Sequence, residues 1–323
     1  MTSRPMASGA ADTRPIPVLA GPTGVGKTAV GIELARRFGA EIVSADSRQI
    51  YRYMDIGTAK PTAEEQAAAP HHLIDVVDPD VRFSAGEYGR LARDAIQDLA
   101  TRDVPALVVG GAGLYIKALD GGLFDAPEIS PAVRQRLANE YRSATTAALH
   151  GRLRAVDPAS ANRIHPNDRQ RIERALEVHD ATGEPLTSWF ERPVQSRSRS
   201  RRTLLVGLRR DRAALYAQID ARVEKMIESG FEAEVHGLMD RGYGPGTHAM
   251  STLGYAEMLR YIGGELDLKE AVSAIQQRSR QYAKRQLTWF RQTGGIEWFT
   301  VDEGEDPAGT CEQIIRSFPD LLF

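Results

Sequence analysis

The segment GPTGVGKT, Gly21 to Thr28, is the strongest indication of the fold in this chain. It matches the phosphate-binding pattern G-x-x-x-x-G-K-[ST], in which backbone N–H groups cradle phosphate oxygens, a lysine neutralises them and a hydroxyl holds Mg²⁺. The apolar run IPVLA precedes the pattern, and apolar residues then recur every fourth position, at Val30, Leu34 and Phe38. A strand followed by this loop and a helix is the context that phosphate binding requires. The predicted cradle consists of Gly21, Pro22, Thr23, Gly24, Val25, Gly26, Lys27 and Thr28, with Thr28 as the magnesium ligand.

Strands and helices alternate after this loop. EIVSAD is typical of a second strand, and SAGEYGRLARDAIQDLA predicts a helix with a capping box from Ser84 to Glu87. PALVVGGAGLY predicts a third, fully buried strand that runs into a glycine turn. Because such alternation produces parallel sheets covered on both faces, the predicted fold class is α/β, a P-loop NTPase-like parallel sheet flanked by helices.

The pattern changes in the middle of the chain. From about Asp125 to Arg202 it becomes a series of Arg-rich helical segments, which predicts an α-helical insertion domain. TLLVGLRRDR then restores a strand, and a long basic helix follows it. The predicted parts are a disordered lead-in (1–14), the first part of the α/β core (15–124), the helical insertion (125–202), the second part of the core with the basic helix (203–300), and a peripheral tail (301–323).

Composition narrows the functional classes. Of 323 residues, 42% are hydrophobic, but no apolar run approaches 18 residues, which argues against a membrane protein. The single cysteine, Cys311, cannot form an internal disulfide or a zinc cage, so we expect a reducing, cytoplasmic location. The net charge is only −2, yet three segments are locally basic. These segments, NRIHPNDRQRIERALEV, SRSRSRRTLL and SRQYAKRQLTWFR, favour an RNA partner.

Asp46 is the first candidate for chemistry outside the cradle. A nucleotide-hydrolysing phosphate-loop protein usually carries an acid at the end of a second apolar strand, whereas LVVGG ends in glycines. The acid follows EIVSA instead, at the carboxyl end of a predicted parallel strand, where substrates and catalytic groups collect. Spacing alone leaves three roles open for Asp46: a turn residue, a metal ligand or a general base.

Arg222 is the second candidate. It is in register with the apolar stripe Leu215, Ile219, Met226 of its helix, which would point the guanidinium inward toward an anion. The competing stripe, which continues through Val223, would turn it to the margin. If Arg222 faces inward, a diphosphate in the cradle is its expected partner.

Several motifs together resemble one family. GPTGVGKT, SADSRQIY, MDIGTAKP, PHHLIDVVDP, VGGAGLYIKAL, NDRQRIERALEV and SRQYAKRQLTWFR occur in the order and spacing of bacterial tRNA dimethylallyltransferases. The resemblance extends from about Ile16 to Trp298, nearly the whole chain. It implies transfer of a dimethylallyl group from dimethylallyl diphosphate to N6 of adenosine 37, in the anticodon stem-loop of tRNAs that read codons beginning with U. The products would be N6-dimethylallyladenosine and diphosphate, and the enzyme is expected to be a monomer.

The resemblance also assigns roles. Asp46 matches the general base, Thr23 matches a hydroxyl near the breaking C–O bond, and Lys27, Arg222 and Mg²⁺ on Thr28 would stabilise the leaving diphosphate. The loop would then act as a diphosphate clamp rather than a site of hydrolysis. The positions that match tRNA-contacting residues of the family are Asp46, Ser47, Arg48, Gln49, Ala112, Arg134, Gln170, Arg171, Ile172, Glu173 and Arg174.

Three features depart from the family pattern. Ala112 stands where Thr or Ser is usual, Ala256 stands where a basic residue is common, and SRSRSRR has no counterpart. Two rival functions share parts of the sequence. An adenylate isopentenyltransferase would use the same donor without needing the basic insertion, and a P-loop small-molecule kinase would use the same cradle to turn over ATP.

Overall fold

A computed structural model describes residues 15–121, 127, 129–192, 203–302, 304 and 306–319. The chain divides into two compact units, one formed by residues 1–120 with 201–323 and the other by residues 121–200. The predicted lead-in (1–14) and the Arg/Ser-rich stretch (197–202) lie outside the described residues. No helix in the described part of the chain is both long enough and apolar enough to cross a membrane.

One parallel sheet organises the first unit. Its strands are β1 (Ile16–Ala20), β2 (Glu41–Ala45), β3 (His71–His72), β4 (Ala106–Gly110), β5 (Thr203–Arg209) and β6 (Ile296–Thr300), in the order β3-β2-β4-β1-β5-β6. Every pairing in this sheet is parallel. All five residues of β1 are buried, as expected for a central strand covered on both faces. The predicted α/β fold is therefore confirmed.

Helices complete both units. They are α1 (Lys27–Phe38), α2 (Ala63–Ala68), α3 (Ala85–Thr101), α4 (Gly113–Leu119), α5 (Pro131–Arg142), α6 (Thr146–Val156), α7 (Pro158–Arg163), α8 (Arg169–Thr182), α9 (Leu186–Glu191), α10 (Arg212–Glu228), α11 (Phe231–Asp240), α12 (Tyr255–Ile262), α13 (Leu268–Gln292) and α14 (Pro307–Ser317). The capping box predicted from Ser84 to Glu87 begins α3, with both reciprocal hydrogen bonds present. Helix α1 begins directly at the lysine of the phosphate loop.

The register of the sheet aligns the strand ends that matter. Gly110 at the end of β4 pairs with Ala20 of β1 on one side and with Ala45 of β2 on the other. The segments that follow these three strands therefore start at the same edge of the sheet. In an open parallel sheet this edge is where ligands bind.

Alternating side chains of the central strands build two cores. Leu19 faces a cluster shared with α1, α10 and α14, whereas Val18 faces a cluster shared with α3, α4 and Phe290 of α13. Because successive residues of a strand point to opposite faces, one short strand anchors helices on both sides of the sheet. A third cluster, which includes Ile50, Met54 and Phe231, packs the segment after β2 against α11, α12 and α13.

The end of the chain differs from the prediction of a peripheral tail. Helix α14 places Thr310, Cys311 and Ile314 at 0% exposure. Cys311 and Ile314 belong to the cluster that contains Val30 and Leu34 of α1. The prediction of a peripheral tail rested on the acidic stretch VDEGED, and it is wrong. The helix after this stretch is amphipathic and supplies part of the core.

The second unit, 121–200, overlaps the predicted insertion and is helical where it is described. Helices α5 to α9 enclose their own core, which includes Leu137, Leu153 and Ile172. Ile172 is 0% exposed, since with Ala175 and Leu176 it forms the buried face of α8. The Ile172 side chain therefore supports the fold of the unit, and the contact of this residue with tRNA stays a prediction.

Candidate active site

The phosphate loop joins β1 to α1. Gly24 and Gly26 have φ angles of 79° and 105°, a left-handed conformation that favours glycine. Gly26 is the N-cap of α1, and no side chain caps this helix. In the described structure the N–H groups of Gly24, Val25 and Gly26 donate to no acceptor. Open N–H groups at a helix N-terminus provide the partial positive charge and the geometry that bind phosphate.

Lys27 lies across the loop, where its ammonium donates to Pro22 O at 2.8 Å. Burial lowers the pKa of this ammonium from 10.5 to about 8, the Asp46 carboxylate opposes the shift, and the nearby Arg222 guanidinium adds to it. A bound anion would favour the charged ammonium and raise its pKa again.

Arg222 reaches the loop from α10. Its guanidinium donates to the Thr23 hydroxyl at 3.3 Å and to the carbonyl oxygen of Thr58 at 3.3 Å. Burial lowers the pKa of the guanidinium below its ordinary value, with the Asp46 carboxylate opposing the shift, yet an arginine remains charged. The buried stripe of α10 is Leu215, Ile219 and Val223, so Arg222 lies beside the apolar face and still points into the site.

Asp46 follows the last residue of β2. One carboxylate oxygen, Oδ1, accepts the backbone N–H of Arg48 at 2.8 Å and that of Gln49 at 3.4 Å. Its other oxygen, Oδ2, accepts no hydrogen bond from the residues that the structure describes. Asp46 thus stabilises its own turn and keeps one oxygen for a ligand.

Some side chains after Asp46 contact other parts of the protein, whereas one stays available for a ligand. The Gln49 amide donates to Ala59 O at 3.0 Å and accepts from the Ser44 hydroxyl at 3.4 Å, so it holds the protein together. The Ser47 side chain lies near the Tyr282 hydroxyl of α13, and burial raises the pKa of that hydroxyl. The Arg48 side chain makes no hydrogen bond within the described structure. It is therefore the member of this run with a cation still available.

Two contributors to the site were missed by sequence reasoning. Gln286 of α13 accepts the Thr23 N–H at 2.9 Å and donates to Gly111 O at 2.9 Å. Thr58 supplies the carbonyl oxygen that receives Arg222. Gln286 lies in the motif SRQYAKRQLTWFR, which was interpreted only as a basic surface, while Thr58 acts through its backbone and leaves no side-chain signal.

The residues predicted to bind RNA in the second unit form their own ion pairs. Arg134 and Arg174 both contact Glu177, at 2.7 Å and 2.9 Å, and Glu173 pairs with Arg169 at 2.7 Å. The remaining members, Gln170 and Arg171, lie on the exposed side of α8, with the Arg171 side chain 75% exposed. In the first unit, Ala112 is the N-cap of α4 and its N–H donates to Ala45 O at 3.1 Å.

The described residues provide only some of the oxygen ligands that a small cation needs. No group of three or more His, Cys, Asp or Glu side chains in the described residues could hold a metal ion. The Thr28 hydroxyl makes no hydrogen bond within those residues. Mg²⁺ keeps several waters and is commonly held by one or two protein oxygens together with substrate phosphates, so one hydroxyl beside a phosphate cradle fits this ion.

Taken together, the site can bind a diphosphate and accept a proton. Two cations and a set of open N–H groups surround the place for phosphates, and a carboxylate with a free oxygen lies close enough to influence both cations. Strand β4 ends at Gly110, so the acid usual in nucleotide hydrolysis is missing from its usual position.

Comparison with known proteins identifies the family. A model described as "IPP transferase" matches residues 49–293. The chain belongs to the IPP transferase family. A second model, "Isopentenyl transferase", matches only residues 15–76. The broader match includes the helical second unit and the basic helix α13, which the shorter one leaves out.

Curated relatives and solved structures agree with this family membership. The chain is 50% identical to the tRNA dimethylallyltransferase of Syntrophobacter fumaroxidans, over 95% of this chain and 89% of that one. It is 48% identical to tRNA dimethylallyltransferase 1 of Syntrophotalea carbinolica, over 96% of both. The full-length tRNA isopentenylpyrophosphate transferase of Bacillus halodurans is 37% identical with a TM-score of 0.69, covering 96% of this chain and 97% of that one. A eukaryotic dimethylallyltransferase acting on tRNA is 26% identical with a TM-score of 0.77, covering 94% and 78%.

Proposed function

We propose that the protein transfers a dimethylallyl group from dimethylallyl diphosphate to N6 of adenosine 37 in tRNAs that read codons beginning with U. The observation that carries this proposal is the arrangement around the phosphate loop: Lys27 and Arg222 beside the cradle, and the Asp46 carboxylate near both. The names of relatives that are about half identical over nearly the whole chain support the same reaction. We further propose that the enzyme acts as a cytoplasmic monomer.

The reaction divides between the two sides of the site. The N6 nitrogen of adenosine attacks the allylic carbon of the donor, a C–N bond forms, and the C–O bond to diphosphate breaks. Asp46 takes the proton that N6 loses, through the carboxylate oxygen that no described residue occupies. The diphosphate leaves with the electron pair of the C–O bond and remains between Lys27 and Arg222.

Thr23 connects the leaving group to the arginine. Its hydroxyl accepts from Arg222, and its own proton is then available to the oxygen on which charge develops as the C–O bond breaks. Mg²⁺ held by Thr28 and the diphosphate oxygens would add positive charge at the leaving group. We propose this role for Mg²⁺ because the Thr28 hydroxyl has no partner among the described residues.

The target base must leave its stack before it can react. N6 of a loop adenosine normally lies in a stacked or paired edge, so an enzyme must extrude the nucleotide. We propose that Ser47, Arg48 and Gln49 contact RNA beside Asp46, and that Arg134, Gln170, Arg171, Glu173 and Arg174 of the second unit contact the anticodon arm. The free Arg48 cation supports the first part of this proposal.

One assay separates the proposed reaction from its rivals. Purified protein with Mg²⁺ and labelled dimethylallyl diphosphate is offered tRNA, AMP or ATP in parallel. We expect label in tRNA alone, and the site of label is then located by nuclease digestion and mass spectrometry. Label in AMP would favour an adenylate isopentenyltransferase, and ATP hydrolysis without prenyl transfer would favour a kinase; either result would overturn the proposal.

Substitution of Asp46 tests the base. Asp46→Asn keeps the size of the side chain and its acceptor for the Arg48 N–H, but removes its ability to take a proton. We expect transfer to fall about 100-fold to 10,000-fold, the range typical of a lost general base. Dissociation constants for tRNA and for the donor should change less than about threefold, a difference of roughly 0.7 kcal/mol. Asp94→Asn, on the exposed side of α3, is the matched control, and turnover by Asp46→Asn close to that control would remove Asp46 from this role.

A further inference from the structure

Gln286 joins two of the strand ends that form the site. Its side-chain amide lies between the phosphate loop and the turn after β4, where Oε1 accepts the Thr23 N–H at 2.9 Å and Nε2 donates to Gly111 O at 2.9 Å. The residue is only 8% exposed. Backbone groups thus satisfy both the oxygen and the nitrogen of this buried amide. The two hydrogen bonds determine that the oxygen faces the phosphate loop.

The surroundings leave room for this amide and for little else. A Cβ atom at Gly111 would lie 2.4 Å from Gln286 Nε2 and 3.0 Å from Gly21 O. Gly111 therefore has to be a glycine for the amide to fit against both backbones. A glutamate at position 286 would keep an acceptor for Thr23, but it would lose the donor to Gly111 and place negative charge beside a diphosphate cradle.

Neighbouring residues on the same face of α13 contact the other two segments of the site. Tyr282, one turn before Gln286, lies near the side chain of Ser47, the residue after Asp46. Trp289, one turn after it, lies against the backbone of Gly113, where a Cβ atom would come within 2.3 Å of the indole. Residues spaced by three and four share one face of a helix. One stripe of α13 thus contacts the segments that follow β2, β1 and β4.

We propose that Gln286 is a positioning residue for the transfer reaction, which places the Thr23 hydroxyl and the phosphate loop relative to Asp46. This inference rests on the proposed function. Because the Gln286 amide accepts the Thr23 N–H, this N–H cannot donate to the ligand. The cradle therefore binds phosphate through the N–H groups from Gly24 onward. The hydroxyl of Thr23 is then directed to Arg222 and to the oxygen of the breaking bond.

The first test compares Gln286→Leu with Gln277→Leu. Gln277 is an exposed residue of the same helix, outside the basic segment SRQYAKRQLTWFR, and makes no hydrogen bond in the described structure, so it controls for the chemical change. We expect Gln286→Leu to weaken binding of inorganic diphosphate with Mg²⁺ about tenfold and to lower kcat at least as much, since two buried hydrogen bonds are lost. Binding of tRNA should change less than twofold, and the control should change neither quantity. Unchanged diphosphate binding and kcat in Gln286→Leu would overturn the proposal.

A double-mutant cycle with Thr23→Val separates positioning from general support of the fold. If Gln286 acts through the Thr23 hydroxyl, Gln286→Leu should lower kcat much less in the Thr23→Val background than in the unaltered protein. Equal losses in both backgrounds would contradict the proposal, even if the melting temperature falls. Where Gln286→Leu does not fold, Gln286→Met takes its place in the cycle, because the unbranched methionine keeps the length of the side chain and removes both hydrogen bonds.

The diphosphate measurement also keeps this inference apart from the proposed function. Calorimetry with inorganic diphosphate needs neither tRNA nor turnover. A protein that transfers no prenyl group to tRNA would refute the proposed function, while the effect of Gln286→Leu on diphosphate binding would still support or overturn its role in placing the loop.

Discussion

At the scale of single residues, the site is organised by an excess of positive charge. Lys27 and Arg222 carry two cations toward the phosphate loop, and Asp46 supplies one carboxylate to oppose them. Burial makes both charges costly, which is why the pKa of each cation is lowered. A diphosphate would relieve this cost, so part of its affinity comes from the way the protein holds these side chains before the ligand arrives.

The lowered pKa of Lys27 predicts how donor binding depends on pH. In the free protein this ammonium loses its proton above about pH 8, whereas a bound diphosphate favours the charged form and raises the pKa. Binding between these two pKa values takes up a proton, so affinity should fall as pH rises, by up to about tenfold per pH unit. Dimethylallyl diphosphate suits the measurement, because a phosphate monoester completes its ionisation near pH 6.

Calorimetry between pH 7 and 9.5, in buffers of different ionisation enthalpy, would measure both the affinity and the proton uptake. Lys27→Arg is the control, since a guanidinium stays charged throughout this range and should remove the extra pH dependence above 8. The same pH dependence in Lys27→Arg would show that another group is responsible.

The sequence predicted the composition of the site better than its internal contacts. The phosphate loop was recognised because eight consecutive residues carry its whole pattern, and Asp46 because it follows an apolar run. Arg222 stayed ambiguous, since it sits at the edge of an apolar stripe where a small rotation decides its direction. Gln49 matched an RNA-contacting run, yet its amide is held by Ala59 and Ser44, contacts that periodicity does not reveal.

At the scale of elements, one carboxylate fixes the turn behind the site. Glu234 of α11 accepts the N–H groups of Asp55, Ile56 and Gly57 at 2.8, 2.6 and 3.1 Å, and it accepts the Tyr255 hydroxyl at 2.7 Å. The turn leads directly to Thr58, whose carbonyl oxygen receives Arg222. The sequence gives no sign of this role, because the turn that Glu234 holds lies more than 170 residues away along the chain.

We expect Glu234→Gln to lower the free energy of unfolding by about 1–3 kcal/mol, since the amide presents a donor to groups that also donate. Glu232→Gln is a closely matched control: both acids lie in the first turn of α11, but among the described residues Glu232 pairs only with His236, at 3.9 Å. The control should stay within about 0.5 kcal/mol of the unaltered protein. Urea unfolding at constant m value measures both, and equal destabilisation by the two variants would show that the turn does not depend on this carboxylate.

At the scale of the whole molecule, the fold class was predictable and the order of its strands was not. Alternating apolar runs and amphipathic helices indicate a parallel sheet, but nothing local states that β4 lies between β2 and β1. Because β4 lies between β2 and β1, Asp46 and the phosphate loop lie at the same edge of the sheet, one on each side of the segment that follows β4. The C-terminal helix was misjudged for a related reason, because its burial depends on a partner, α1, nearly the whole chain away.

Helix α14 gives a measurable report on the stability of this arrangement. Cys311 is buried and donates to Val30 O at 3.4 Å, and burial raises the pKa of its thiol to about 12. At pH 8 only about one Cys311 thiol in ten thousand would be ionised in the folded protein. A thiol reagent should therefore react mainly with molecules in which α14 has opened and exposed the thiol. Because Cys311 and Ile314 share one core with Val30 and Leu34, we expect α14 to open together with α1 rather than alone.

Cooperative opening predicts that a ligand at the phosphate loop protects a thiol at the other end of the chain. If opening of α14 also disrupts the start of α1, diphosphate with Mg²⁺ at 100 times its dissociation constant should slow labelling of Cys311 about 100-fold. Stopped-flow or spectrophotometric labelling measures the rate, and Ile314→Ala should raise it in the absence of ligand, because the substitution costs about 2–5 kcal/mol in a packed core. If the ligand does not change the labelling rate of Cys311, α14 detaches locally. The core shared by α1 and α14 would then not couple the stability of the two ends of the chain.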